Sequence, residues 1–158
     1  MPRYREPPDS PLSASDLART YPLVMTCKKS IYYLHSGGRQ IKSLRKGHPD
    51  PLVLIHPETA ARIGVENDDW VYIETQYGRI KQKATVSNKA DPRVVCVDFG
   101  WWYPEKGISD MFGWAESNLN ILTADHPPDS PETGSGNFRG ILCKVYKKKE
   151  HRTFNIQH

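Results

Sequence analysis

Apolar residues in this chain come in runs of four or five at most, the longest at residues 51–55 and 94–97. Runs of that length fit buried strands and fall far short of the ~20 apolar residues that a membrane-spanning helix needs. Residues 80–86 alternate: Ile80, Gln82, Ala84 and Val86 share one face, while Lys81, Lys83 and Thr85 share the other. That period of two belongs to a strand with one buried side. With a strand at 70–75 and a turn at Gln76-Tyr77-Gly78-Arg79, it predicts an antiparallel hairpin. Further strands are expected at 23–25, 31–34, 51–55, 94–97 and 141–146. One helix stands out, opened by His56-Pro57-Glu58, running through Arg62 and stopped by Gly64. Many short strands with one or two short helices predict a mainly β fold closed into a barrel, the arrangement that leaves no sheet edge open.

At 158 residues the chain is sized for one domain. Four prolines, Pro2, Pro7, Pro8 and Pro11, mark residues 1–20 as an extended lead-in. The domain proper is expected over 21–147, followed by a polar tail over 148–158. Nothing in Met1-Pro2-Arg3-Tyr4-Arg5-Glu6 resembles a secretory signal. Cys27, Cys96 and Cys143 are odd in number and widely spaced, which fits neither a disulfide framework nor a CxxC metal site. A reducing, cytoplasmic setting is the expectation for this chain. The six histidines show no HxxxH or HExxH spacing, and His126 with Asp125 and Ser130 has no nucleophile elbow. A net charge of +4, with Lys144, Lys147, Lys148, Lys149 and Arg152 near the end, gives a mild preference for anions. The alternative this leaves open is a stand-alone basic β-barrel that binds nucleic acid or another anionic partner.

Four segments gather polar and aromatic groups beside glycine. The first, residues 26–39, holds Thr26, Lys28, Tyr33, His35, Ser36 and Arg39 around Gly37-Gly38, a donor set suited to phosphate oxygens or to a plain solvated turn. In the second, Phe99-Gly100-Trp101-Trp102-Tyr103-Pro104-Glu105, three aromatic rings in a row either plug a core or stack on a heterocycle. The third is Ser117-Asn118-Leu119-Asn120-Ile121-Leu122-Thr123. If it is extended, Asn118 and Asn120 point to one side, where two amides read a pterin or purine edge or cap turns. The fourth, residues 134–140, brings Phe138 and Arg139 to the last strand on a glycine-rich loop.

In order along the chain, these segments resemble the C-terminal, molybdopterin dinucleotide-binding domain of molybdopterin oxidoreductases of the dimethyl sulfoxide reductase type. The resemblance rests on Thr26-Cys27-Lys28, Tyr33-Leu34-His35-Ser36, Arg39, His56-Pro57-Glu58-Thr59-Ala60-Ala61, Asp69-Trp70-Val71, Tyr77-Gly78-Arg79-Ile80 and the three later segments. It departs at Cys27 and Lys28, where the family carries Gly and Arg. Lys28 keeps the charge and loses the bidentate fork.

The resemblance implies a six-stranded double-psi β-barrel that contacts molybdopterin guanine dinucleotide, carrying molybdenum or tungsten. The cofactor would sit against the remaining domains of a larger catalytic subunit, with an electron-transfer subunit as a further partner. The metal ligand and any iron-sulfur cluster lie outside this chain, so the chain alone is expected to be inactive. It also implies that His35, Ser36 and Arg39, with Thr26, Lys28 and Tyr33, hold phosphate or pterin oxygens. Trp102 and Phe138 would line the pterin, and Asn118, Asn120 and Arg139 would bond its polar edge. Neither nucleic acid nor membrane is expected as a partner of such a domain.

Overall fold

The computed structural model describes residues 4, 6–124 and 136–148. Six strands close into a barrel: β1 (Leu23–Lys28), β2 (Leu52–Ile55), β3 (Trp70–Glu74), β4 (Arg79–Val86), β5 (Val94–Asp98) and β6 (Arg139–Lys147). Their order around the barrel is β1-β5-β2-β4-β3-β6. Two pairs are parallel, β1 with β5 and β2 with β4, and the other four are antiparallel. Exchanging β1, β2 and β3 with β4, β5 and β6 maps the pairing onto itself: β1·β5 becomes β4·β2, β1·β6 becomes β4·β3, and the remaining two are unchanged. The barrel is thus two interlocked halves of like connectivity, the double-psi arrangement.

Alternation builds the core. Met25, Val53, Ile55, Val71, Ile73, Ala84, Val95 and Val97 are fully enclosed, and so are Ile80 and Gln82 on the predicted face of β4. Gln82 is a polar side chain in an apolar barrel, where an unpaired amide is costly. Its Nε2 donates to the carbonyls of Asp98 and Ser117, and its Oε1 accepts from the Asp98 amide at 3.0 Å. The helix read from the sequence is Pro57–Ile63. His56 caps it by accepting the Glu58 amide on Nδ1, and Gly64 ends it at φ 68°.

Three expectations are corrected. Residues 31–34 form bends rather than a strand; Ile31 and Leu34 are 94% and 80% exposed, and the segment finds no partner strand. Among the described residues, four short α-helices stand where one or two were expected: α1 (Ser15–Thr20), α2 (Lys42–Gly47), α3 (Pro57–Ile63) and α4 (Trp114–Ser117), with 3₁₀ turns at Pro104–Lys106, Ile108–Gly113 and Leu119–Leu122. All are so short that the sequence carries no helical period for them. The lead-in is not simply extended, since α1 occupies its end. The Asp9 carbonyl accepts the Leu142 amide of β6, and the Asp9 carboxylate takes Tyr77 OH at 2.6 Å and Gln76 Nε2 at 2.9 Å.

That docking has a measurable consequence. Burial, followed by the bond to Asp9, pushes the Tyr77 phenol from 10.0 up to about 12. A group whose pKa is raised on folding stabilises the fold below its unfolded pKa, and the contribution is lost as pH rises through the folded one. Stability is therefore expected to fall between pH 10 and about 12. In Tyr77→Phe, denaturant titrations across that window should show a shallower fall; an unchanged slope would rule out the coupling.

Candidate functional site

The four segments meet at one end of the barrel. β1 delivers Thr26 beside Cys96 of β5 and opposite Arg139 of β6, with a bulge between Met25 and Thr26. Beyond β1 the chain bends through residues 29–38. His35 sits there with φ 49°, a left-handed conformation that is strained for a histidine. Its ring meets the Phe99 ring edge-on at 5.6 Å, and Phe99 meets Phe138 in the same way at 5.4 Å. Trp102 Nε1 donates to the Ser36 carbonyl at 2.6 Å. Asn118 Nδ2 donates to the Trp101 carbonyl at 3.1 Å. These contacts tie segments more than a hundred residues apart into one rim.

Gly100 makes the meeting possible. It has φ 67°, and a Cβ there would lie 3.0 Å from the His35 carbonyl carbon and oxygen. Gly100→Ala is expected to cost about 1–2 kcal/mol for the left-handed backbone alone, and in addition to push residues 35 and 36 aside. Gly64→Ala is the control, with φ 68° and ψ 35° in the left-handed region and open space around its Cβ. Denaturation midpoints and the His35 and Ser36 amide shifts read both effects; equal behaviour of the two variants would contradict this account.

Beneath the rim lies a buried polar cluster. Asp98, 2% exposed, takes His48 Nε2 at 2.6 Å and the Leu52 amide at 2.9 Å on Oδ2, and faces Lys28 Nζ at 3.3 Å with Oδ1. Tyr33 OH donates to the His48 carbonyl at 2.6 Å, and burial raises the Tyr33 pKa. Arg39 lies over the rings of Tyr33 and Trp101, which stand at 84° to each other, with its carbon Cζ 4.5 Å and 5.0 Å from the ring centres. Its guanidinium donates to the His35 carbonyl at 2.6 Å and the Phe99 carbonyl at 2.9 Å, and burial lowers its pKa.

The residues named from the sequence therefore fall into two layers. His35, Ser36, Asn120 and Arg139 are exposed, and among the described residues their side chains make no hydrogen bond. Thr26, Lys28, Trp102, Asn118 and Phe138 are half-buried beside them, while Tyr33 and Arg39 are buried and build the loop that carries His35. The third segment is not extended: Asn118 caps the 3₁₀ turn Leu119–Leu122 by accepting the Asn120 amide, which buries Leu119 and Leu122 and leaves Asn120 outside. Sequence reading missed Asp98 and His48. Asp98 had one signal, an acid directly after the apolar run of β5; His48 had none. Residues 125–135 and 149–158, with His126, Ser130, Gly134 and most of the tail, lie outside the described residues.

The description "Molydopterin dinucleotide binding domain" belongs to a family model that matches residues 23–142, from the start of β1 into β6. The chain belongs to this family. Among its relatives, dopamine dehydroxylase of Eggerthella lenta is 39% identical over 98% of the chain and 15% of its own length. Acetylene hydratase of Syntrophotalea acetylenica is 31% identical over 93% of the chain and 21% of its own length. The solved structure of acetylene hydratase from Pelobacter acetylenicus superimposes with a TM-score of 0.85 and 32% identity, covering 94% of this chain and 21% of that one. The chain thus spans between a seventh and about a fifth of these relatives, in the manner of one cofactor-binding domain of a larger molybdopterin enzyme.

Proposed function

We propose that the rim built from residues 26–39, 99–103, 117–123 and 138–139 holds molybdopterin guanine dinucleotide inside a larger catalytic subunit. The observation that carries this reading is the convergence of four sequence-distant segments at one barrel end, with unengaged donors outermost. The donor set fits the group. Exposed imidazole, hydroxyl, amide and guanidinium groups at His35, Ser36, Asn120 and Arg139 match pterin and phosphate oxygens. The rings of Trp102 and Phe138 offer flanking apolar surface. The nearby carboxylate of Asp98 is covered by Lys28 and His48, which spares an anionic ligand its repulsion.

When bound, the cofactor supplies oxygen-atom or electron transfer through molybdenum or tungsten. This chain orients it and excludes water along one side. Trp102 fixes the Ser36 backbone, Arg39 fixes the His35 carbonyl, and Asn118 fixes Asn120. The remaining domains of the subunit would form the opposite wall, and an electron-transfer subunit would serve the whole. Two relatives share this domain under different reaction names, which supports leaving substrate choice to the rest of the subunit. The exposed apolar side chains Ile31, Leu34, Ile108 and Met111 fit burial against those domains. Among the described residues, Lys28, Lys81, Lys83, Lys106, Lys144 and Lys147 each face a carboxylate, which takes these six out of a free basic stripe of the kind the nucleic-acid alternative needs.

The test is titration of the 158-residue chain with released cofactor, followed by amide shifts. Shifts are expected at His35, Ser36, Asn120, Phe138 and Arg139. Affinity should be weak, since one wall of the site gives only part of the contact area. Saturating shifts confined to other faces of the barrel would overturn the assignment.

A further inference from the structure

Residues 107–113 carry backbone strain that the proposed cofactor contacts do not explain. Met111 (φ 43°, ψ 39°) and Phe112 (φ 54°, ψ 24°) are both left-handed, and Gly113 continues them at φ 60°. Left-handed positions ordinarily fall singly and on glycine, asparagine or aspartate, so two bulky residues in succession are an outlier. Glycines bracket the stretch. Gly107 holds φ 68° and ψ 176°, a region closed to residues with a side chain, and Gly113 stands at the other end. Between them Ile108 is 83% and Met111 61% exposed, so burial of these side chains does not offset the strain.

Few ties hold the middle of this segment. The Phe112 amide donates to the Gly107 carbonyl at 2.8 Å, the Tyr103 amide donates to the Phe112 carbonyl at 2.7 Å, and the Phe112 ring meets Trp102 edge-on at 5.5 Å. The stems on either side are firmer. Lys106 pairs with Glu116 across the base of the loop, Glu116 also takes Lys81 of β4, and Tyr103 OH and Ser117 Oγ share a hydrogen bond of 2.6 Å. Firm stems, glycine joints and a strained, uncovered middle describe a segment with two positions of similar energy. In the second, Met111 and Phe112 leave the left-handed region and Ile108 and Met111 gain cover.

We propose that residues 108–112 are an apolar flap, hinged at Gly107 and Gly113, that closes over a planar heterocycle resting against Trp102. Trp102 is the link. Its Nε1 is fixed on the Ser36 carbonyl and its ring carries Phe112, so a ligand lying there offers Ile108 and Met111 apolar surface that they meet in the closed position only. That difference in contact between the two positions is what shifts the balance toward closure. The two positions follow from the segment itself, while the identity of the ligand rests on the cofactor reading.

The test measures backbone relaxation dispersion and hydrogen exchange on the 158-residue chain, alone and with released cofactor. In the free chain, microsecond-to-millisecond exchange is expected at residues 108–112 while the α4 and β4 amides stay flat. Met111→Gly removes one left-handed penalty, so protection of the Phe112 amide should rise about tenfold. Gly107→Ala puts a side chain where the backbone excludes one and should lower the same protection, with β4 amides unchanged in both variants. Flat dispersion, together with Phe112 protection that simply follows the β4 amides in both variants, overturns the proposal. Released cofactor should shift the Trp102 Nε1–Hε1 signal and suppress the exchange at 108–112. Cofactor shifts at His35 and Asn120 with unaltered exchange at 108–112 overturn closure of the flap and leave the cofactor reading standing. Exchange at 108–112 in the free chain with no cofactor shift anywhere on the rim leaves the hinged flap standing and removes the cofactor reading.

Discussion

Asp98→Ala is expected to destabilise the chain by roughly 3–5 kcal/mol, the range for removing one partner of a buried ion pair. The carboxylate is 2% exposed and engages three groups from three parts of the chain: His48, the Leu52 amide at the start of β2, and Lys28 at the end of β1. Its removal leaves the Leu52 amide and His48 without their acceptor and Lys28 without its counter-charge. Lys28→Ala should cost far less, under about 1 kcal/mol, because the ammonium is only partly covered, with 29% of its side chain exposed. Equilibrium denaturation of the two variants decides the matter. An Asp98→Ala loss of the same size as the Lys28→Ala loss would mean that the buried carboxylate does not hold the cluster together.

Trp101→Ala is expected to cost about 3–5 kcal/mol, as for other fully enclosed aromatic side chains. Trp101 is 0% exposed and meets Tyr33 at 5.8 Å, His48 at 5.5 Å and Tyr103 at 6.2 Å between ring centres, with the guanidiniums of Arg39 and Arg45 over its ring. This cluster is separate from the barrel core, so its loss should disorder the loop over residues 29–39 before the strands. Hydrogen exchange is the discriminating measurement. Protection should drop at Gly37, Ile41 and His48 while β3 and β4 amides hold; uniform loss would place Trp101 in the global core instead.

The hairpin and α3 were readable because their causes are local: alternation in β4, a Pro-Glu start after a capping histidine, and a glycine that turns left-handed at the end. The barrel was readable at one remove, from the number and shortness of the strands and from the family resemblance. What escaped was set by partners distant in sequence. Residues 31–34 look like a strand by composition, yet no edge is available to them, because β1 is already paired with β5 and β6. Arg39 reads as an exposed phosphate ligand, since arginine is rarely enclosed. Only the rings of Tyr33 and Trp101 and the carbonyls of His35 and Phe99 show why it is inside. For Asn118 and Asn120 the sequence left two readings, neighbours on one side of an extended segment or caps of a turn; burial of Leu119 and Leu122 goes with the second and separates their tasks. The candidate site was legible as a set of segments, but not as a division between outer donors and inner struts.

The pairing of β1 with β6 has a bearing on how this chain is made. Leu23 lies opposite Cys143, so the first strand cannot be sealed until 120 further residues have left the ribosome, roughly 6–24 s at ordinary rates of translation. Throughout that wait the end of the cylinder that gathers the four segments stands ajar. Phe138 and Arg139 arrive with that last strand, so the outer rim is finished only when the cylinder shuts.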